Sequence, residues 1–364
     1  MKKKEKILMA MSGGVDSAVS AMLLLEQGYE LEGVTFRTFD SIKEHCLAKE
    51  KGCCSVESIM EAKHLAEKLG FGHHIVDFRE TFKTHVIRNF VDEYMHGRTP
   101  NPCVLCNSHI KWGVLLETAD QLGCEKIATG HYAQIMQRNG HFFLANAVDR
   151  HKDQTYFLWM LTEENLKRTL FPLGGYNKPQ VRQMALERGF EQLSQKTESQ
   201  EICFIPNNDY RSFLASQVPD FQQRCHEGNY LNQDGEVVGR HKGFACYTIG
   251  QRKRLGIALG APKYVTRIDV ERNEVTLGDY DDLYSSGLQA VHCVFRDEAW
   301  LQESPEVEAR IRYKSPAQPA RIQIDGDRAQ LQFLQPVWGV TPGQSLVLYK
   351  EGLVVGGGLI EGRL

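Results

Sequence analysis

Much of what this chain lacks is as informative as what it holds. No Gly-x-x-x-x-Gly-Lys-Ser/Thr sequence occurs anywhere, which excludes the common P-loop way of holding nucleotide phosphates. No apolar run is long enough to cross a bilayer, so no membrane-spanning role is expected. The start, Met1-Lys2-Lys3-Lys4, has the charge of a secretory n-region, but the apolar stretch after it is too short for an h-region. The expectation is therefore a cytoplasmic protein. No internal repeat and no low-complexity tract interrupts the 364 residues, which leaves no sign of a solenoid or a disordered linker. The net charge of −3 is no bulk attractant for nucleic acid, although bulk charge can hide a local basic face. Residues 240–267 contain no Asp or Glu, yet hold Arg240, Lys242, Arg252, Lys253, Arg254, Lys263 and Arg267. With His241, Tyr247 and Tyr264 interleaved, that stretch reads as a phosphate-binding surface.

What is present is ordinary in bulk: 42% hydrophobic and 24% charged residues, enough for two or three domains with a sizeable core. The informative element is local. Ser12-Gly13-Gly14-Val15-Asp16-Ser17 follows the apolar run 7–11 and precedes the apolar run 18–25, which stops at Gly28. A strand-length run, a glycine-rich turn and a helical run in that order place the turn at a helix N-terminus. Free N–H groups and the positive dipole end favour a pyrophosphate there. Gly13 and Gly14 let the backbone close on phosphates. Ser12 and Ser17 offer hydroxyls, and Asp16 could orient Mg²⁺ or cap the helix. The hexapeptide resembles the PP-loop of ATP pyrophosphatases, which cut ATP between its α and β phosphates and use the AMP half to activate a carbonyl oxygen.

Strand and helix patterns alternate through the first half: strands near 32–36, 74–78 and 126–131, helices near 55–69, 81–95 and 108–122. That succession predicts an α/β fold, a parallel sheet with helices on both faces. Ligands sit at the carboxyl ends of such strands, where residues 12–17 and Gly130-His131 both fall. Asn139-Gly140 marks a hairpin, and 178–188 is the last clear helical pattern. After about residue 221, short β-type runs alternate with turn dipeptides such as Asp234-Gly235, Asp325-Gly326 and Pro342-Gly343. The expected division is a catalytic domain over 1–210, a small β-rich domain over 211–280, and a C-terminal β-barrel over 281–364.

Ten cysteines in a reducing compartment point to chemistry, metal or core filling rather than disulfides. Cys103 and Cys106 form a C-x-x-C pair in a proline-held loop, Thr99-Pro100-Asn101-Pro102, just before a helical pattern. A cysteine at a helix N-terminus is a better nucleophile at neutral pH. By spacing alone the pair reads equally as a zinc half-site, a redox pair or a cluster half-site. Cys46, Cys53 and Cys54 with His45 are poorly spaced to complete a zinc site. Cys203 has no spacing signal, and Cys124, Cys225, Cys246 and Cys293 are expected to be core or incidental.

Six motifs in order resemble the tRNA-specific 2-thiouridylases: residues 12–17; Pro100-Asn101-Pro102 with Cys106-Asn107; Thr129-Gly130-His131-Tyr132-Ala133; Lys152-Asp153-Gln154-Thr155-Tyr156-Phe157-Leu158; Glu201-Ile202-Cys203-Phe204; and Tyr247-Thr248-Ile249-Gly250-Gln251-Arg252-Lys253. That family replaces the 2-oxygen of a wobble uridine with sulfur. The resemblance implies that Ala10, Met11, Ser12, Gly13, Gly14, Val15, Asp16 and Ser17 bind ATP with Mg²⁺, with Phe36 near the adenine and Gly130 in the nucleotide site. Asn101, Pro102 and Cys103 would face the target base. Cys106 would be the nucleophile and Cys203 the persulfide carrier. His131, Lys152, Asp153, Gln154, Arg312, Tyr313 and Gln344 would touch tRNA, and a sulfur-carrier or cysteine desulfurase-type protein would supply sulfur. Familiar members carry Asp where this chain has Cys103. Three thiolates, at Cys103, Cys106 and Cys203, could instead hold an iron–sulfur cluster with one iron open to external sulfide. The alternatives are another ATP-dependent PP-loop ligase, or a tRNA sulfurtransferase acting at another position.

Overall fold

The computed structural model describes residues 5–38, 56–196 and 202–364, without the side chains of Val56 and Pro206. The chain forms two compact units. One takes residues up to 86, 103–208 and 352–354; the other takes 87–102, 209–351 and 355–364.

The first unit contains β1 (Lys6–Ala10), β2 (Glu30–Arg37), β3 (Gly72–Asp77), β4 (Lys126–Ala128), the hairpin β5 (Gln134–Arg138) and β6 (His141–Ala145), and β7 (Thr169–Leu170). Its helices include α1 (Val15–Glu26), α2 (Val56–Leu69) and α3 (Lys178–Glu187). The five-stranded sheet runs β3-β2-β1-β4-β7, every pair parallel. Parallel neighbours need crossovers, and α1 and α2 supply them between β1 and β2 and between β2 and β3. Ile7, Leu8 and Met9 in β1 are wholly buried, as a strand covered on both faces requires. α1 is apolar almost all round because it lies in two cores. Met22 and Leu24 pack with Met9, Met11 and Leu65; Val15 and Val19 pack with Leu173, Val181 and Ala185. The Asn139-Gly140 turn of the β5–β6 hairpin has φ +50° and +84°, as a two-residue hairpin turn demands.

Two expected helices are not regular. The pattern over 81–95 resolves into helix Arg79–Phe82, a π-helical turn Lys83–Ile87 and helix Arg88–Met95. The pattern over 108–122 resolves into π-helix Cys106–Val114 followed by helix Leu115–Gln121. Such turns often mark functional sites.

The second unit holds β8 (Gly228–Leu231), β9 (Val237–His241), β10 (Tyr264–Asp269) and β11 (Glu274–Gly278), in a sheet of order β10-β11-β8-β9. It also holds β12 (Tyr284–Phe295), β13 (Glu306–Arg310), β14 (Gln318–Asp325), β15 (Arg328–Trp338), β16 (Ser345–Lys350) and most of β17 (Leu353–Arg363). These six run β12-β15-β14-β13-β16-β17, and β12 pairs again with β17, which closes a barrel. In β15, Ala329, Leu331 and Phe333 point inward while Arg328, Gln330 and Gln332 face solvent. Closure leaves the barrel without an exposed edge.

Candidate nucleotide and thiol site

β1 ends at Ala10, and the loop Met11–Gly14 turns directly into α1. The entry is fixed by Met11 N–H donating to Val34 O and Thr35 Oγ1 donating to Met11 O, both at 2.8 Å. Gly13 has φ +68°, and a Cβ there would lie 2.5 Å from Ser58 O of α2. Only glycine fits on both counts. Ser12 N–H donates to Ser17 Oγ at 3.2 Å, and Ser17 Oγ donates to Gly14 O at 3.1 Å. The loop is thus a closed cradle at a helix N-terminus, with Gly14 as N-cap and no side chain capping the helix. Those are the conditions under which backbone N–H groups bind phosphate.

Asp16 does not cap the helix. Lys178 Nζ donates to its two carboxylate oxygens at 2.7 and 2.8 Å, and Tyr132 Oη donates to one of them at 2.8 Å. Gly130 lies against this first turn: a Cβ on it would meet Asp16 C and Ser17 N at 2.9 Å. The end of β4 therefore closes on the loop, as the sequence order suggested. Phe36, in β2, is half-buried and packs edge-on to Phe78 at 5.0 Å.

His131 shares a hydrogen bond with Thr129 Oγ1 at 2.8 Å and packs against Trp112 and Phe171. Burial, with Lys111 adding to it, holds its imidazole well below the usual histidine range, so it is neutral at pH 7. Gln154 Oε1 accepts from Tyr132 N–H at 2.9 Å, which braces the same strand end. Asp153 is 2% exposed, and its carboxylate accepts from Ala147 N–H at 2.7 Å, Thr155 N–H at 3.2 Å and Thr155 Oγ1 at 2.5 Å. Lys152, beside them, is half-exposed.

Cys103 is exposed on the short helix Pro102–Leu105, and Cys106 is half-buried at the start of the π-helix. Pro102 at the first helical position suits its fixed φ. Asn107 Nδ2 donates to Phe157 O at 3.0 Å, which anchors the turn after Cys106. Cys203 is exposed, beside Phe204, whose buried ring packs edge-on to Phe82 at 5.6 Å. Among the described residues no three Cys, His, Asp or Glu side chains gather closely enough to hold a metal ion. A cluster site at Cys103, Cys106 and Cys203 is therefore not shown. His45, Cys46, Cys53 and Cys54, weighed for zinc, and Glu201 of the Cys203 motif lie outside the described residues.

The second unit holds the remaining candidates. Gln344 Nε2 donates to Thr99 O at 2.8 Å and Pro100 O at 3.2 Å, which seats the loop that presents Asn101 and Pro102 on the turn before β16. Arg312 donates to Ile249 O at 3.3 Å and to Thr341 Oγ1 at 2.5 Å, with its guanidinium over Trp338. Tyr313 beside it is half-exposed. Cys225 and Cys246, expected to be core or incidental, are both buried. The neighbouring Cys225 thiol lowers the pKa of Cys246.

Sequence reasoning missed Lys178, Tyr132 and Lys196. Lys196 Nζ reaches Gly13 O at 3.1 Å and pairs with Glu61. One signal for Lys178 was available. The helix pattern and the Asn177/Gln180 capping box put it in the first turn, where a cation opposes the helix dipole and calls for a carboxylate partner.

Family models match three consecutive stretches: the tRNA methyl transferase HUP domain over residues 5–207, the tRNA methyl transferase PRC-barrel domain over 212–279, and the Aminomethyltransferase beta-barrel domain over 285–360. The chain is 47% identical over 366 residues to the tRNA-specific 2-thiouridylase MnmA of Amoebophilus asiaticus, covering 99% of this chain and 96% of that one. The protein of the same name from Cytophaga hutchinsonii is 46% identical over 364 residues, covering 99% and 98%. The one from Carboxydothermus hydrogenoformans is 45% identical over 367 residues, covering 99% of each. The domain descriptions speak of methyl transfer and the relatives' names of thiolation. The relatives weigh more, since they match at near-half identity from end to end. The chain belongs to the tRNA-specific 2-thiouridylase family.

Proposed function

We propose that this protein replaces the 2-oxygen of a wobble uridine in tRNA with sulfur, converting ATP to AMP and pyrophosphate. The observation that carries the reading is the phosphate cradle of residues 12–17, closed by Gly130, in the same compact unit as Cys103, Cys106 and Cys203. A uridine C2 oxygen is a poor leaving group. Transferring AMP to it makes a good one, and the cradle holds the pyrophosphate that departs. A persulfide on Cys203 then attacks C2: the new S–C bond forms, and the C–O bond to AMP breaks. Cys106 attacks the Cys203 sulfur of that adduct, leaving thiouridine and a Cys106–Cys203 disulfide that an external dithiol must reduce. The alternative order has Cys106 attack the persulfide first and release sulfide as the nucleophile, with the same disulfide left behind.

Ala10 to Ser17, Phe36 and Gly130 form the ATP site in this reading. Asn101, Pro102 and Cys103 face the base, and Gln344 holds their loop. Lys152, His131, Arg312 and Tyr313 meet RNA; Asp153 and Gln154 act by shaping the turn that presents Lys152. Mg²⁺ would arrive on the ATP phosphates, and Asp16 would have to part from Lys178 to meet it; Cys103, Cys106 and Cys203 would be the ligands in a cluster route, and the steps above use neither. A protein persulfide donor is the source of sulfur, and a cytoplasmic location is part of the reading. No helix among the described residues is long and apolar enough to cross a membrane. Domain boundaries near 210 and 280 are supported by where the family models start and stop.

The test uses unmodified tRNA transcripts, Mg-ATP and a persulfide donor under anaerobic conditions, with mass spectrometry of the wobble nucleoside and AMP measured in parallel. Oxygen-to-sulfur exchange with matching AMP is expected. AMP without thiolation points to another tRNA position or donor. Neither product, from folded protein that binds ATP, moves the chain to another PP-loop ligase.

A further inference from the structure

Lys196 lies outside every motif that the sequence singled out, yet it touches the phosphate loop itself. Its ammonium donates to the carbonyl of Gly13 at 3.1 Å and pairs with Glu61 of α2. Its side chain is 36% exposed, so the cation is not locked in a dry core. Its backbone is held instead: Arg182 of α3 donates to Lys196 O at 3.2 Å and also to Ser194 O. The stem is thus fixed while the charged end faces the loop. Glu61 is as close: its carboxylate lies 3.1 Å from where a Cβ of Gly13 would be. A bare carboxylate against a phosphate cradle repels the ligand the cradle is built for. The lysine neutralises it, and phosphate oxygens compete with it for the same ammonium.

We propose that Lys196 is a phosphate-binding residue of the nucleotide site, its ammonium shared between Glu61 and the loop until a triphosphate or pyrophosphate takes it. The inference rests on the ATP reading of residues 12–17.

Lys196→Ala and Glu61→Gln break the same ion pair, so a purely structural pair makes both variants alike. Phosphate binding makes them opposite. The probe is α,β-methylene-ATP with Mg²⁺, titrated calorimetrically into the full chain, with melting curves as the folding check. The expected result is about tenfold weaker binding in Lys196→Ala, from loss of one charge-assisted contact worth a factor of that order. Lys196→Arg retains binding, and Glu61→Gln binds as well as or better than the parent. Weakening of both Lys196→Ala and Glu61→Gln, or unchanged binding in Lys196→Ala, overturns the proposal. Absence of binding in the parent chain overturns the ATP reading instead.

Discussion

Gly130→Ala is the sharpest probe of the nucleotide site. The added methyl would sit 2.9 Å from both Asp16 C and Ser17 N, and 3.2 Å from Asp16 Cβ. Ordinary contact begins near 3.4 Å, so the first turn of α1 or the end of β4 must move by roughly half an ångström. The obstacle is backbone, and that turn is tied down by Lys178 and Tyr132 on Asp16 and by Ser17 on Gly14. Overpacking of this kind costs about 1–3 kcal/mol. At about 2–4 °C per kcal/mol for a unit of this size, the melting temperature falls by roughly 2–12 °C. The nucleotide effect should exceed the stability effect, because the displaced atoms form the phosphate cradle: KM for ATP in the AMP-release assay rises about tenfold or more. Two controls separate the causes. Gly174→Ala, whose Cβ would lie 2.1 Å from Ala133 O, destabilises the fold without touching the loop. Gly175→Ala, with no atom within 4 Å of its Cβ, changes nothing. If Gly130→Ala melts with the parent and keeps its KM within about twofold, the closed-cradle geometry is wrong.

Two further outcomes follow from the site. His131 has a depressed pKa in the folded chain, chiefly through burial, so below its unfolded value near 6.5 the unfolded chain binds the extra proton. Stability contributed by this group is full above about pH 6.5 and falls with acidification at up to ~1.4 kcal/mol per pH unit. Denaturant titrations at pH 7 and pH 5 should therefore show His131→Gln losing less stability than the parent; parallel losses refute it. Gln344→Ala removes both hydrogen bonds to the Thr99-Pro100 carbonyls. At about 1 kcal/mol each, KM for tRNA should rise roughly tenfold or more with KM for ATP unchanged. An equal change in both constants would deny Gln344 its role in seating the base-facing loop.

The phosphate loop was legible because three local rules agree at one place: an apolar strand run, two adjacent glycines and an apolar helix run. Gly13 lies against Ser58 of α2, and Gly130 against Asp16 and Ser17. The parallel sheet was legible for a similar reason, since strands buried on both faces read as unbroken apolar runs such as Ile7-Leu8-Met9. The charged residues around the loop were not. Lys178 and Lys196 lie 162 and 183 residues from Asp16 and Gly13, the groups they contact. Nothing local announces a partner that far along the chain. The π-helical turn that begins at Cys106 was equally hidden, because its buried residues, Asn107, Ile110 and Trp112, are too few to reveal a period. Asp153 shows the opposite failure. A charged residue in a Lys-Asp-Gln stretch reads as a surface contact, whereas three internal donors had already claimed its carboxylate.

Cys103 is an exposed thiol three residues before Cys106, and it separates the two routes for sulfur. In the persulfide route the electrons move among Cys203, its terminal sulfur, C2 and Cys106. Cys103 forms and breaks no bond in that sequence. In a cluster route it is one of three obligatory ligands, and a carboxylate replaces a thiolate poorly on iron. Cys103→Asp is a mild change at an exposed position in the first turn of a helix, where a negative charge suits the dipole. The variant should fold and retain thiolation within about threefold, with persulfide and external dithiol supplied. Cys106→Ala and Cys203→Ala should abolish multiple turnover. Anaerobic preparations should carry no more iron in the parent than in Cys103→Asp. If Cys103→Asp loses activity and bound iron together, the three cysteines hold a cluster, and the persulfide assignment of Cys203 falls with it.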